Sequence, residues 1–181
     1  MENKKYILTG EPIKHLNRLL YRVKAIKDFG NVKAGDAGGY VESEDNLSHV
    51  DNAWVFGDAK VFGNALVYGN AKVSGNALVT GNAKVYGNAL VSGNARVSGN
   101  AEVYGNAKVS GNAWVSGNAE VSGNAEVSGN AWVYDEAGVY RNALVSGSAL
   151  VFSNDKVSGN ALVSGNAWVS GNAEVSGDAK V

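Results

Sequence analysis

Residues 93–117 read GNARVSGNAEVYGNAKVSGNAWVSG, three complete copies of one six-residue unit, A-x-V-[S/Y/F]-G-N, between the end of one more and the first five residues of another. Working outward from this stretch, a valine falls at every sixth position from Val55 to Val181, and an alanine stands two residues before each, from Ala53 to Ala179, with Asp155 the one exception. A helix cannot carry this pattern, because a period of six is out of phase with 3.6 and a glycine per unit would cost roughly 1 kcal/mol each. A short strand can: in A-x-V the alanine and valine point one way and x the other. The S-G-N that follows is turn chemistry, since glycine, and to a lesser degree asparagine, accept positive φ. Strand and corner alternating every six residues predict a β-solenoid.

The variable positions set the size of a coil. With 18 residues per coil, Tyr68, Tyr86, Tyr104 and Tyr140 fall in one outward column, interrupted by Ser122, and Trp114, Trp132 and Trp168 fall in another. A 12-residue coil splits both sets. The expectation is therefore an all-β, single-stranded parallel β-helix: a triangular prism of about seven coils over residues 46–181, valine inside and alanine near the corners. Residues 1–45 lack the period. There KYILTG and RLLYRVKAIKDF read as strands, EPIKHLN as the hairpin loop between them, and GNVKAGDAGGYVESED as a linker. The expected role of this segment is to cover the open first coil and its unpaired edge.

Composition agrees with the architecture and narrows the function. The chain has 181 residues, is 45% hydrophobic but only 9% aromatic, and carries a formal charge of −1. A narrow prism built on valine and alanine needs few bulky side chains. Near-neutral charge argues against nucleic acid or a membrane surface as partner. With no cysteine there is no disulfide, thiolate nucleophile or Cys-based metal site. The N-terminus MENKKYILTG shows no signal-peptide pattern, and a cytoplasmic setting is expected.

The unit V-x-G-N-A-x resembles the hexapeptide repeat of left-handed parallel β-helix proteins, the trimeric LpxA-like acyltransferase superfamily, over residues from about 46 to 181. The segment AIKDFGNVKAGDAGGYVESEDNLSHVDNAWVFGDA also resembles uncharacterised bacterial and phage hexapeptide-repeat proteins, some labelled acyltransferases. The resemblance implies a left-handed coil, a threefold oligomer and, were the activity shared, an acyl-CoA-dependent O- or N-acyltransferase. Enzymes of that kind use a histidine base and a loop extruded from one coil. This sequence departs on both counts: the repeat admits no insertion after residue 52, and its only histidines, His15 and His49, lie outside the regular units. His49 stands in the register of the inward valines, which suits packing or capping better than catalysis. His15 falls in a polar turn and is expected to be solvated.

Irregularity is concentrated between residues 134 and 156. Asp135, Arg141 and Ser153 replace corner glycines, Glu136 and Ser148 replace corner asparagines, and Asp155 takes an inward alanine position. Non-glycine residues at such corners are expected to force a different turn. A carboxylate facing the interior is costly unless paired, so a bulge swinging Asp155 to solvent is expected. The competing reading gathers Asp135, Glu136, Arg141 and Asp155 into a small polar site, with His49 and Asp155 as the only, weak, catalytic candidates. No metal or cofactor is called for.

The stronger candidate is a surface. In the 18-residue register one face carries Trp114, Trp132, Leu150 and Trp168 on consecutive coils, with Tyr134 and Phe152 two residues further along. The neighbouring column of Leu66, Lys84, Glu102, Glu120, Lys156 and Glu174 reads as a solvated face. Contiguous exposed aromatics mark interfaces. The expected function is a non-catalytic structural or interaction module, a homo-oligomer joined through this face as a trimer, or end to end through the last coil. Acyl transfer, and a phage-encoded adaptor or inhibitor docking a host protein, are the alternatives.

Overall fold

The computed structural model describes residues 4–181 and is all-β apart from one short 3₁₀ turn, Glu44–Asn46. It opens with an antiparallel hairpin, β1 (Tyr6–His15) and β2 (Arg18–Ala25), followed by β3 (Ala37–Val41). Every later strand is a two-residue x-Val piece, from Trp54–Val55 to Glu174–Val175. These strands stack at intervals of 18 residues into three parallel sheets of a solenoid, so that Trp114 pairs with Trp132 and Val115 with Val133.

The 10-stranded sheet contains β1, β2 and eight strands from successive turns, which makes about eight turns where seven were expected. The additional turn comes from the supposed linker. Within it β3 pairs parallel with the strand at residues 60–61, setting Val41 beside Val61. Leu47 bridges to Val67 in the same way.

The sequence explains the interior directly. The alanines from Ala53 to Ala161 and the valines from Val55 to Val163 of the repeat are buried and form one continuous core, with Asp155 buried at the one alanine position it occupies. Each turn is tied to the next by backbone bonds such as Arg96 N–H to the Ala113 carbonyl at 2.9 Å and Ser98 N–H to that of Val115 at 3.0 Å. Outside, the corner asparagines form ladders. One runs unbroken from Asn52 through Asn70, Asn88, Asn106, Asn124 and Asn142 to Asn160, each amide donating to the side chain one turn on. The other two are broken where Glu136 and Ser148 replace asparagine, after Asn118 and Asn130, and the first of them resumes between Asn154 and Asn172.

The corners correct one expectation. Asp135, Arg141 and Ser153 do not adopt another turn; they keep the left-handed conformation of the glycines, with φ of 60°, 63° and 60°. Their cost is seen in the stacking instead. A Cβ at Gly99 would lie 2.7 Å from the carbonyl oxygen of Gly117, so glycine serves close approach as well as φ. After Asp135 and Ser153 the bond to the next turn is longer than after Gly99. The contact is 2.7 Å from Asn100 N to Gly117 O, but 2.9 Å from Glu136 N to Ser153 O and 3.3 Å from Asn154 N to Gly171 O.

The hairpin covers the first turns, and its loop is shorter than the sequence suggested. EPIKH continues β1 across an irregularity between Thr9 and Ile13. Only Leu16 and Asn17 form the turn, with φ of 47° and 61°, the two-residue geometry that matches strand twist. Lys5 closes the end of the prism. It is 1% exposed, and its ammonium donates to the carbonyls of Val50, Asp51 and Ala53 at 3.3, 3.2 and 2.8 Å. It also lies 4.8 Å from the centre of the Phe29 ring. Burial pushes its pKa down to about 8. Tyr6 donates to Leu47 O at 2.6 Å, and Trp54 packs edge-on against both Tyr6 and Phe29.

Candidate functional surface

Strand alternation turns every x of A-x-V outward, and the parallel register lines these positions up. On the sheet with the hairpin the row reads Lys60, Leu78, Arg96, Trp114, Trp132, Leu150, Trp168, one residue per turn. Trp132 is 45% and Trp168 70% exposed, while Trp114 and Leu150 are half-buried. Trp114 meets Trp132 edge-on with ring centres 5.1 Å apart. Its indole N–H donates to Ser98 Oγ at 3.1 Å, and the Arg96 guanidinium lies 5.9 Å from its ring centre. Tyr134 and Phe152 stack at 5.0 Å and 4° along the same edge. The six aromatic and aliphatic residues singled out in the sequence thus share one continuous surface.

Lys60, Leu78 and Arg96 extend that row toward the hairpin and were missed by counting only from Trp114. Continuing the 18-residue register backward finds them. A shallow depression of about 220 Å³ adjoins them, lined by Leu16, Phe62, Leu78, Thr80, Ser98 and Trp114 among others. Leu16, at the hairpin tip, is 73% exposed.

The irregular quartet is not gathered into one site. Asp135 and Glu136 are exposed at the corner beside Tyr134, whereas Arg141 stands at the next corner along the chain. Arg141 makes no ion pair with these carboxylates among the described residues. Asp155 corrects the expected bulge, for it is fully buried. Its Oδ1 accepts the Ala173 backbone N–H at 2.8 Å, taking the place of the turn bond that Ala167 makes to Ser164 O at 3.2 Å. Oδ2 has no hydrogen-bond partner among the described residues.

The histidines are packing groups in their geometry. The His49 ring stacks on Tyr6 at 4.1 Å and 22°, and its Nδ1 accepts the Lys5 backbone N–H at 3.3 Å. His15 is not solvated in a turn: it ends β1, with its ring edge-on to Phe62 at 5.6 Å. Desolvation, followed by the Lys60 charge, holds its pKa below the ordinary value.

The neighbouring column is more than a solvated face. Tyr68, Tyr86 and Tyr104 stack at 4.8 Å, nearly parallel. Tyr86 donates to Glu102 at 2.9 Å, and Lys84 Nζ reaches the other oxygen of Glu102 at 2.9 Å. Glu102 is held below the usual carboxylate range, first by the Lys84 bond. Tyr104 also donates to Glu120, and Tyr140 reaches the second oxygen of that carboxylate at 3.3 Å. Tyr140 can do so because Gly138 leaves room: a Cβ there would lie 2.1 Å from the phenol oxygen. Burial, then the Glu120 charge, pushes Tyr140 up to about 12.

Comparison with known proteins touches the repeat itself. No curated protein matches the chain. Residues 71–87, 83–99, 101–117 and 156–171 each match the family model described as YdcK Beta solenoid repeat. In these four stretches, which lie within the stacked turns, the chain is similar to a solenoid repeat whose description names an architecture and no activity.

Proposed function

We propose that this protein is a non-catalytic β-solenoid module that self-associates through its tryptophan face. The observation that carries the reading is the exposure of Trp132 and Trp168, 45% and 70%, on a face that also presents Leu150, Tyr134 and Phe152. Large aromatic side chains lose much water-exposed apolar area on association and dominate interface energetics. The solenoid offers them with little conformational cost, because the sheet beneath is fixed by hydrogen bonds from turn to turn. Acyl transfer is the weaker reading, since the candidate base His49 is stacked on Tyr6, takes a backbone N–H at Nδ1 and has its Nε2 3.5 Å from Glu44.

Solution mass by light scattering tests the proposal. The unaltered protein is expected to be oligomeric and Trp132→Glu monomeric, with the β-rich circular dichroism unchanged. A monomeric mass for the unaltered chain at high concentration, or an unchanged oligomer in the variant, would refute self-association through this face.

A further inference from the structure

Resting on that reading, we infer that the face pairs with a second copy of itself in the antiparallel sense, about a two-fold axis through the turn of Trp114. The order of residues along the row carries the inference. Counted from Trp114 in both directions, Arg96 lies as far on one side as Trp132 on the other, Leu78 as far as Leu150, and Lys60 as far as Trp168. Two rods laid face to face in opposite directions therefore bring each cation onto an indole of the other copy and leucine onto leucine.

An indole face is the best aromatic partner for a cation, and an isologous contact requires a patch complementary to itself. Cations over aromatic rings already appear within one chain. Arg96 sits over Trp114, and Tyr40 receives Arg22 at 4.4 Å and Lys60 at 5.8 Å. Exposure follows the same division: Arg96 and Trp132, the inner facing pair, are both exposed. The apolar depression beside Leu78 would lie opposite Leu150 of the second copy.

Parallel arrangements, the threefold one included, fit the row less well. They set every turn level with its own counterpart, so Arg96 lies level with Arg96 and Lys60 with Lys60, while the most exposed indoles receive no cation. Like charges brought together raise the cost of association.

The absence of cysteine from the chain gives a clean test. Leu78→Cys and Leu150→Cys, both at half-buried outward positions, are made as two separately tagged proteins, mixed, and treated with a short bismaleimide suited to facing sheets about 10 Å apart. Antiparallel pairing is expected to give the 78–150 product in about tenfold excess or more over the 78–78 and 150–150 products, because only the first pair gains a high effective concentration. In that arrangement each like pair is offset by about 19 Å, four turns.

Dominant like-with-like products would overturn the antiparallel axis while leaving the tryptophan face as the interface. An oligomeric mass with no cross-linked product would place the interface elsewhere and overturn the axis together with the proposed self-association. Monomeric mass in the unaltered protein removes both.

Discussion

Asp155 Oδ1 accepts the backbone N–H of Ala173, one turn further on, at 2.8 Å. The single carboxylate at an alanine position therefore closes the next corner in place of a main-chain carbonyl. The geometry is workable but costly, because Oδ2 is buried with no partner among the described residues. Asp155→Ala restores the repeat and lets Ala173 bond to the Ser170 carbonyl, as Ala167 does to Ser164. It is expected to raise stability by about 1–2 kcal/mol. The denaturation midpoint checks this, and a lower midpoint would show that the carboxylate is a net stabilising group.

Glycine is favoured at the corners for two separable reasons, and two substitutions tell them apart. Gly99 and Gly165 share the left-handed conformation, with φ of 68° and 64°. A Cβ at Gly99 meets the Gly117 carbonyl oxygen at 2.7 Å, whereas one at Gly165 meets nothing within 4 Å. Gly165→Ala is expected to cost about 1–2 kcal/mol, from the conformation alone. Gly99→Ala is expected to cost about 1–3 kcal/mol more, from crowding of the next turn. Equal midpoint losses in the two variants would remove close approach from the account.

The tyrosine face makes stability depend on alkaline pH. Tyr140 is pushed up to about 12 by burial and by Glu120. The folded chain thus holds this proton after the unfolded chain has lost it. The resulting stabilisation is complete below pH 10 and declines as pH rises from about 10 to 12. Tyr140→Phe is expected to flatten that part of the stability profile and to remove one phenolate step near pH 12 from the absorbance titration. A variant with the same alkaline decline as the parent would reassign it to other groups.

The repeat made the solenoid readable because its two periods carry separate information. The six-residue valine spacing specifies strand and corner, and the 18-residue recurrence of Tyr68, Tyr86 and Tyr104 specifies three strands per turn. The same recurrence placed Trp114, Trp132, Leu150 and Trp168 on one surface. Where the period stops, local rules misled. EPIKH resembles a loop by composition, yet its strand pairing with β2 holds it in the hairpin. Asp155 was expected to escape to solvent because its own side chain was weighed without the unpaired amide at Ala173. Lys5 gave no sign of burial, since its three carbonyl partners lie 45 to 48 residues away in sequence.

The close fit of the hairpin to the first turns bears on how the chain counts. Units this alike could slide by a whole turn and still set valine on valine, so the stacked strands alone hold almost no positional information. The junction is different. A Cβ at Gly38 would lie 2.5 Å from the Val55 carbonyl oxygen, and one at Gly39 the same distance from that of Ala59. The Lys5 ammonium donates to one specific set of carbonyls, those of Val50, Asp51 and Ala53. The hairpin is thus a zero mark from which every later turn takes its number, and the place of each tryptophan along the rod is measured from it.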